Sequence, residues 1–79
     1  LNKMNCNICN YQYDSNERAP RILKECGHTI CSDCMSKVLA LQKNYIVCPF
    51  CYAQTKGTNV IEFPINHELM RAFLQHWHH

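Results

Sequence analysis

Short apolar runs alternate with polar stretches along this chain, and each run predicts one small element. Residues 1–5 read as a brief lead-in. Residues 10–25 read as a polar loop, with Asn10, Asp14, Ser15, Asn16 and Pro20 as turn formers. Near its end, Arg21-Ile22-Leu23-Lys24 has the length and composition of a strand. Thr29-Ile30 is placed to pair with it across Cys26-Gly27-His28, where Gly27 can supply a sharp bend. From Ser32 to about Leu41 the period becomes helical: Met35, Val38, Leu39 and Gln42 follow at three- and four-residue steps, three of them apolar. Asp33 sits in the first turn, where a carboxylate suits the helix dipole, and Asn44 is expected to end the helix. Tyr45-Ile46-Val47 reads as extended. A polar connector then runs from Cys51 to Asn59, followed by the strand-like Val60-Ile61-Glu62-Phe63 and the stop at Pro64. Asn66 makes a good N-cap, with Ile65 and Met70 at the N′ and N4 positions of a hydrophobic staple. Leu69, Met70, Phe73, Leu74 and Trp77 form one apolar stripe on the helix it starts. There are no internal repeats and no low-complexity tract.

These runs are too short to hold a fold unaided. A chain of 79 residues buries little core, and domains of this size generally need disulfides, metals or oligomerisation. The chain has seven cysteines, and with His28 they form four close pairs: Cys6-x2-Cys9, Cys26-x-His28, Cys31-x2-Cys34 and Cys48-x2-Cys51. A two-residue gap lets both thiolates face one ion from a tight turn. A disulfide scaffold is the competing reading for a short cysteine-rich chain. It is disfavoured because an odd number of cysteines cannot all pair, a histidine fills the eighth ligand slot, and no apolar signal-type run precedes Cys6. A reducing compartment, cytoplasm or nucleus, is therefore expected.

Seven soft thiolates and one imidazole select Zn2+, with iron–sulfur chemistry and Cu(I) far behind. Four pairs make two tetrahedral sets, so two Zn2+ are expected, each closed and with no position for water or substrate. Tandem and interleaved wiring are equally compatible with the spacing. Charge changes with the metal. The formal net charge is +2; two Zn2+ add four positive charges and seven thiolates remove seven, leaving about −1. A near-neutral domain with scattered Lys and Arg offers no basic face for nucleic acid. A membrane span needs about 20 apolar residues, and the longest apolar-rich segment, Val38 to Val47, is interrupted by Gln42, Lys43 and Asn44. His67, His76, His78 and His79 read as surface residues because eight ligands already close both sites. Lys24, Lys37, Lys43 and Lys56 read as solvated charges or as acceptors of self-modification.

The full string, with the local wording Cys26-Gly27-His28-Thr29-Ile30-Cys31 and Cys48-Pro49-Phe50-Cys51, resembles the RING finger in its C3HC4 form over residues 6–51. The segment from Asn66 resembles the one that follows the RING in tripartite-motif ligases. The resemblance implies a small zinc-stabilised α+β fold of the cross-brace type, with a short β-hairpin, a central helix and a C-terminal flanking helix. It implies that Cys6, Cys9, Cys31 and Cys34 hold one zinc, and Cys26, His28, Cys48 and Cys51 the other. It also implies an E3 ubiquitin ligase that works by positioning a ubiquitin-loaded E2 enzyme, with no catalytic residue of its own. The family's E2-contact positions fall on Ile8, Val38, Pro49 and Phe50. For Val38 and Phe50 the competing expectation is inward packing. For Ile8 and Pro49, flanked by ligands on tight turns, exposure is expected. One position departs from the pattern: active members often carry Arg or Lys just after the last cysteine, where it contacts ubiquitin, and here that residue is Tyr52. A phenol offers one donor where guanidinium offers five.

Division into a RING finger over residues 1–57 and a strand plus flanking helix over 58–79 is expected, the whole being a fragment of a longer protein. The stripe from Asn66 to Trp77 either pairs two copies in a homodimer or packs back on its own RING. A non-catalytic interaction or dimerisation module is the alternative to the ligase reading.

Overall fold

The computed structural model describes residues 4–77, and side chains as far as Leu74. Strand β1 (Pro20–Ile22) and strand β2 (Thr29–Cys31) form an antiparallel hairpin, and helix α1 (Ser32–Gln42) follows at once. Strand β3 (Tyr45–Val47) and strand β4 (Gln54–Lys56) form a second antiparallel hairpin. A single 3-10 turn (Val60–Glu62) and helix α2 (His67–Trp77) complete the order. Among the described residues, no helix is long and apolar enough to cross a membrane.

The first hairpin forms largely as the sequence reads, displaced toward Pro20 from the expected Arg21–Lys24. Arg21 pairs with Ile30, while Leu23 leaves the strand to close the turn, its N–H donating to His28 O at 2.8 Å. The N–H groups of Cys26 and Gly27 both donate to Leu23 O, which bends the chain hard enough to put Gly27 at φ +81°. Only glycine adopts that angle without a steric cost. Helix α1 buries Met35 and Leu39 and half-buries Val38 and Gln42, as the stripe predicts. It runs to Gln42, close to the expected Leu41, but its cap is Lys43 and not Asn44: Lys43 takes a positive φ of 72° and donates its N–H to Leu39 O.

Two expectations fail. The connector after Cys51 contains strand β4, in which Ile46 and Thr55 are partners and both are buried. Gln54 and Lys56 face solvent, so one inward Thr is all that marks this strand in the sequence. The strand-like Val60–Phe63 stretch is instead the 3-10 turn. Glu62 Oε2 accepts from the N–H groups of Thr58 (3.1 Å) and Asn59 (3.0 Å), and Asn59 Oδ1 accepts from the Ile61 N–H. Polar side chains that satisfy nearby backbone groups favour a tight turn over a ladder.

One contiguous core runs through the molecule, from Cys6 and Tyr13 through Leu23, Ile30, Met35, Leu39 and Ile46 to Phe63 and Phe73. The C-terminal segment reaches that core along the free edge of β1. Ile22 N–H donates to Pro64 O and Asn66 N–H to Pro20 O, both at 2.8 Å, with Arg21 bridging Ile65. Asn66 caps α2 as predicted, its Oδ1 accepting from Leu69 N–H, while its Nδ2 donates to Thr29 Oγ1. The stripe of α2 turns inward: Phe73 is buried, Leu69 and Met70 pack on the core, and Leu74 is left partly exposed. The side chain of Trp77, and with it His76, His78 and His79, lies outside the described residues.

Candidate functional site

The eight sequence-predicted ligands gather into two groups. Cys6, Cys9, Cys31 and Cys34 form the first, and Cys26, His28, Cys48 and Cys51 the second, with ligand atoms in each lying within 4.8 Å of one another. Chain order therefore alternates between groups, and tandem wiring is excluded. Each group is assembled by local geometry. Backbone turns close over Cys6–Cys9 and Cys48–Cys51, with Asn10 N–H donating to Cys6 O and Tyr52 N–H to Cys48 O, both at 2.9 Å. The residue after each turn is left-handed, Asn10 and Tyr52 both at φ 65°. Cys31 ends β2 and is also the N-cap of α1, its Sγ accepting from Cys34 N–H at 3.4 Å. A thiolate there is stabilised by the helix N-terminus. One turn of α1 brings Cys34 to the same face.

Distances within the groups test which ion fits. A zinc–sulfur bond of about 2.3 Å in a tetrahedron gives a sulfur–sulfur edge of about 3.8 Å. Cys6 Sγ lies 3.9 Å from Cys34 Sγ, and Cys9 Sγ lies 3.9 Å from Cys31 Sγ. Disulfide bonding needs about 2.05 Å, so these are ligand edges and not bridges. In the second group, a zinc–nitrogen bond of about 2.05 Å shortens the mixed edge to about 3.6 Å. His28 Nδ1 lies 3.3 Å from both Cys26 Sγ and Cys48 Sγ, which also identifies the coordinating nitrogen. Both donor sets fit Zn2+, and two zinc ions belong to this fold.

Electrostatics point the same way. Burial opposes ionisation at Cys6, but the N–H groups of Cys9, Cys31 and Ile8 outweigh it and hold that thiol down to about 7. Burial pushes Cys31 up to about 11, and Cys34 is raised too, first by burial and then by its sulfur neighbours. Tyr13, buried beside this group, has its phenol raised by burial and then by the charges of Cys6, Cys31, Cys9 and Cys34. Four thiols this close cannot all ionise without a cation among them.

Burial separates the two groups. In the first, Cys6, Cys31 and Cys34 are buried and Cys9 is half-buried; in the second only Cys48 is buried, and Cys51 is exposed. Of the residues assigned to E2 contact, Ile8 and Phe50 are each 42% exposed and Pro49 is exposed, whereas Val38 is half-buried against the core. The Phe50 ring leans on His28, with centroids 5.4 Å apart. Tyr52 projects outward at 77% exposure.

Sequence reading passed over two residues that shape this region. Arg21 fastens the C-terminal segment to the start of α1: Nε donates to Ser32 Oγ at 2.8 Å and Nη1 to Phe63 O at 2.7 Å. Ser32 Oγ in turn donates to Ala19 O. Arg18 stacks over the Tyr11 ring at 4.3 Å and helps order the loop between Cys9 and β1. Neither an Arg in a strand-like run, as Arg21, nor one in a polar loop, as Arg18, carries a signal of its partners, so neither was legible.

Comparison with known proteins agrees with this geometry. A family model described as a zinc-RING finger domain matches residues 5–53. The chain is 45% identical over 53 residues, 65% of its length, to the uncharacterized RING finger protein ZK945.4 of Caenorhabditis elegans. It is 36% identical over 63 residues, 80% of its length, to the human E3 ubiquitin-protein ligase TRIM32. It is 40% identical over 52 residues, 63% of its length, to the E3 ubiquitin-protein ligase arc-1 of Caenorhabditis elegans. The matched stretch is 10% of each of these relatives, so the chain spans about a tenth of their length.

Proposed function

The chain belongs to the zinc-RING finger family, and from that premise we propose that it binds a ubiquitin-loaded E2 enzyme and promotes transfer of ubiquitin to substrate lysines. The observation that carries the reading is the placement of Ile8, Pro49 and Phe50. Each lies on a turn between two ligands of a closed metal centre, and each offers apolar surface to solvent. An exposed apolar side chain on a turn with no freedom to collapse inward is suited to docking a partner. Val38, on α1, would extend that surface through its exposed part. Closed four-ligand centres hold no open position for water or substrate. The gain in rate would come from holding the E2 thioester and ubiquitin in a reactive arrangement. Related proteins named as E3 ubiquitin ligases support the reading. The setting is one that keeps thiols reduced, cytoplasm or nucleus.

One observation favours a second reading, a non-catalytic interaction module. Tyr52 stands where a guanidinium or ammonium would bridge E2 and ubiquitin, and its phenol cannot make a forked contact. Autoubiquitination with E1, a panel of E2 enzymes, ubiquitin and ATP separates the two. The ligase reading expects activity that Ile8→Ala lowers by an order of magnitude or more with the zinc content unchanged. Full activity in Ile8→Ala would remove Ile8 from the docking surface. Activity absent from wild type but present in Tyr52→Arg would establish the second reading and its cause.

A further inference from the structure

The two metal centres share a donor chemistry but not a solvent exposure, and this difference predicts unequal reactivity. Zinc-bound thiolates remain nucleophiles, and their rate of oxidation follows access to the sulfur. At the first centre the sulfurs of Cys6, Cys31 and Cys34 are sealed, with Cys6 and Cys31 at 0% exposure and buried Tyr13 beside them. Reaching those three requires the core to open; Cys9 is half-buried, like Cys26, so the centres differ at Cys51, which has no exposed counterpart in the first. At the second centre, Cys51 is exposed, Cys26 is half-buried, and the flanking Gly27, Pro49, Phe50 and Tyr52 all face solvent. Cys48 is covered and its sulfur takes the Phe50 N–H at 3.4 Å, which leaves Cys51 as the open thiolate of the set.

We propose that the Cys26–His28–Cys48–Cys51 centre is an oxidant-accessible modification site, at which peroxide converts Cys51 and a neighbouring thiolate to a disulfide and frees one zinc ion while the other centre stays loaded. The chemistry balances with hydrogen peroxide as the oxidant. The Cys51 thiolate attacks one peroxide oxygen, the O–O bond breaks, and a sulfenic acid and hydroxide form. Cys26 or Cys48, each with its sulfur within 4.8 Å, then attacks that sulfur and expels a second hydroxide. Two sulfurs lose two electrons in total and peroxide gains them. The two remaining ligands cannot retain the ion, which leaves as aqueous Zn2+. Reduction of the disulfide and added Zn2+ reverse the change.

The test uses the chain loaded with two zinc ions, hydrogen peroxide and a chromophoric zinc chelator that does not strip the untreated protein. One equivalent is expected to leave at least about tenfold faster than the second, set by thiolate access. Peptide mapping at the end of the fast phase should find oxidation at Cys51 with Cys26 or Cys48, and Cys6, Cys9, Cys31 and Cys34 still reduced. Cys51→His, which keeps four ligands but removes the open thiolate, should slow the fast phase. Release of both ions in one phase, no release, or oxidation first at the sealed centre would each overturn the proposal. So would a fast phase unchanged in Cys51→His. If that variant does not hold two ions, the wild-type mapping alone decides.

Discussion

Residues 5–56 and residues 58–77 are held by different physics. The first stretch is stitched at eight points to two ions, and its chain path follows from where those points lie. Among the described residues, the second supplies no ligand to either centre. It is attached by two backbone hydrogen bonds along β1, by the Arg21 guanidinium on Phe63 O, by Asn66 on Thr29, and by the burial of Phe63 and Phe73. Metal ligation is discrete and strong, so it tolerates a polar loop such as residues 10–19 between its ligands. Packing is distributed, so its failure at any one side chain is partial. The C-terminal helix thus depends on a platform that the ions build, while the ions owe it little.

The largest effect should come from removing the ions. Structural zinc supplies on the order of 10 kcal/mol or more per site in small domains at neutral pH. Chelation should therefore abolish the fold of both stretches together, read as loss of amide dispersion in an NMR spectrum and recovered on adding Zn2+. Acid acts in the same direction because protons compete with zinc for the thiolates. If α2 kept its packing on β1 in excess chelator, the dependence of the second stretch on the first would be wrong.

Next come the aromatic residues that hold the second stretch. Phe63 is 1% exposed, and truncating such a ring typically costs about 3–5 kcal/mol. Phe63→Ala should free the 3-10 turn and α2, seen as faster amide exchange over 60–77, while both zinc ions stay bound. Gly57 tests the same seat from the opposite side. A Cβ built there would lie 2.6 Å from the Phe63 ring, so Gly57→Ala must displace a buried aromatic and should cost about 1–3 kcal/mol. Loss of zinc in either variant would contradict a one-way dependence.

The same division explains what the sequence could convey. All eight ligands, the β1–β2 hairpin, α1 and the Asn66 cap were legible, because spacing, helical period and capping are local signals. Interleaving was not legible from spacing, which permits tandem sites equally; it came only with the family resemblance, and the structure bears it out. Strand β4 was missed because its ladder is made by backbone groups and its one inward residue is Thr55. Val60–Glu62 was misread because Val60 and Ile61 look like a strand, while the decisive Glu62 contacts reach back to Thr58 and Asn59. The Arg21 clasp depends on Ser32 and Phe63, residues 11 and 42 positions away, and no local pattern encodes it.

A metal-held stretch should also tolerate backbone strain that a packed one would reject, and the two ligand turns allow that to be measured. Asn10 and Tyr52 follow the second cysteine of their turns, share φ 65°, and donate to the carbonyl of the first cysteine at the same 2.9 Å. Asparagine visits the left-handed region readily, while a bulky aromatic residue does so at a cost of roughly 1–2 kcal/mol. Tyr52 is 77% exposed, so no buried contact offsets that cost. Tyr52→Asn should therefore stabilise the zinc-loaded protein by about 1 kcal/mol, whereas Asn10→Tyr should destabilise it by a similar amount. Thermal unfolding of the two-zinc forms reads both. A loss of stability in Tyr52→Asn would mean that the phenol contributes to the fold through a contact its exposure conceals, and that the second centre is less self-sufficient than its geometry implies.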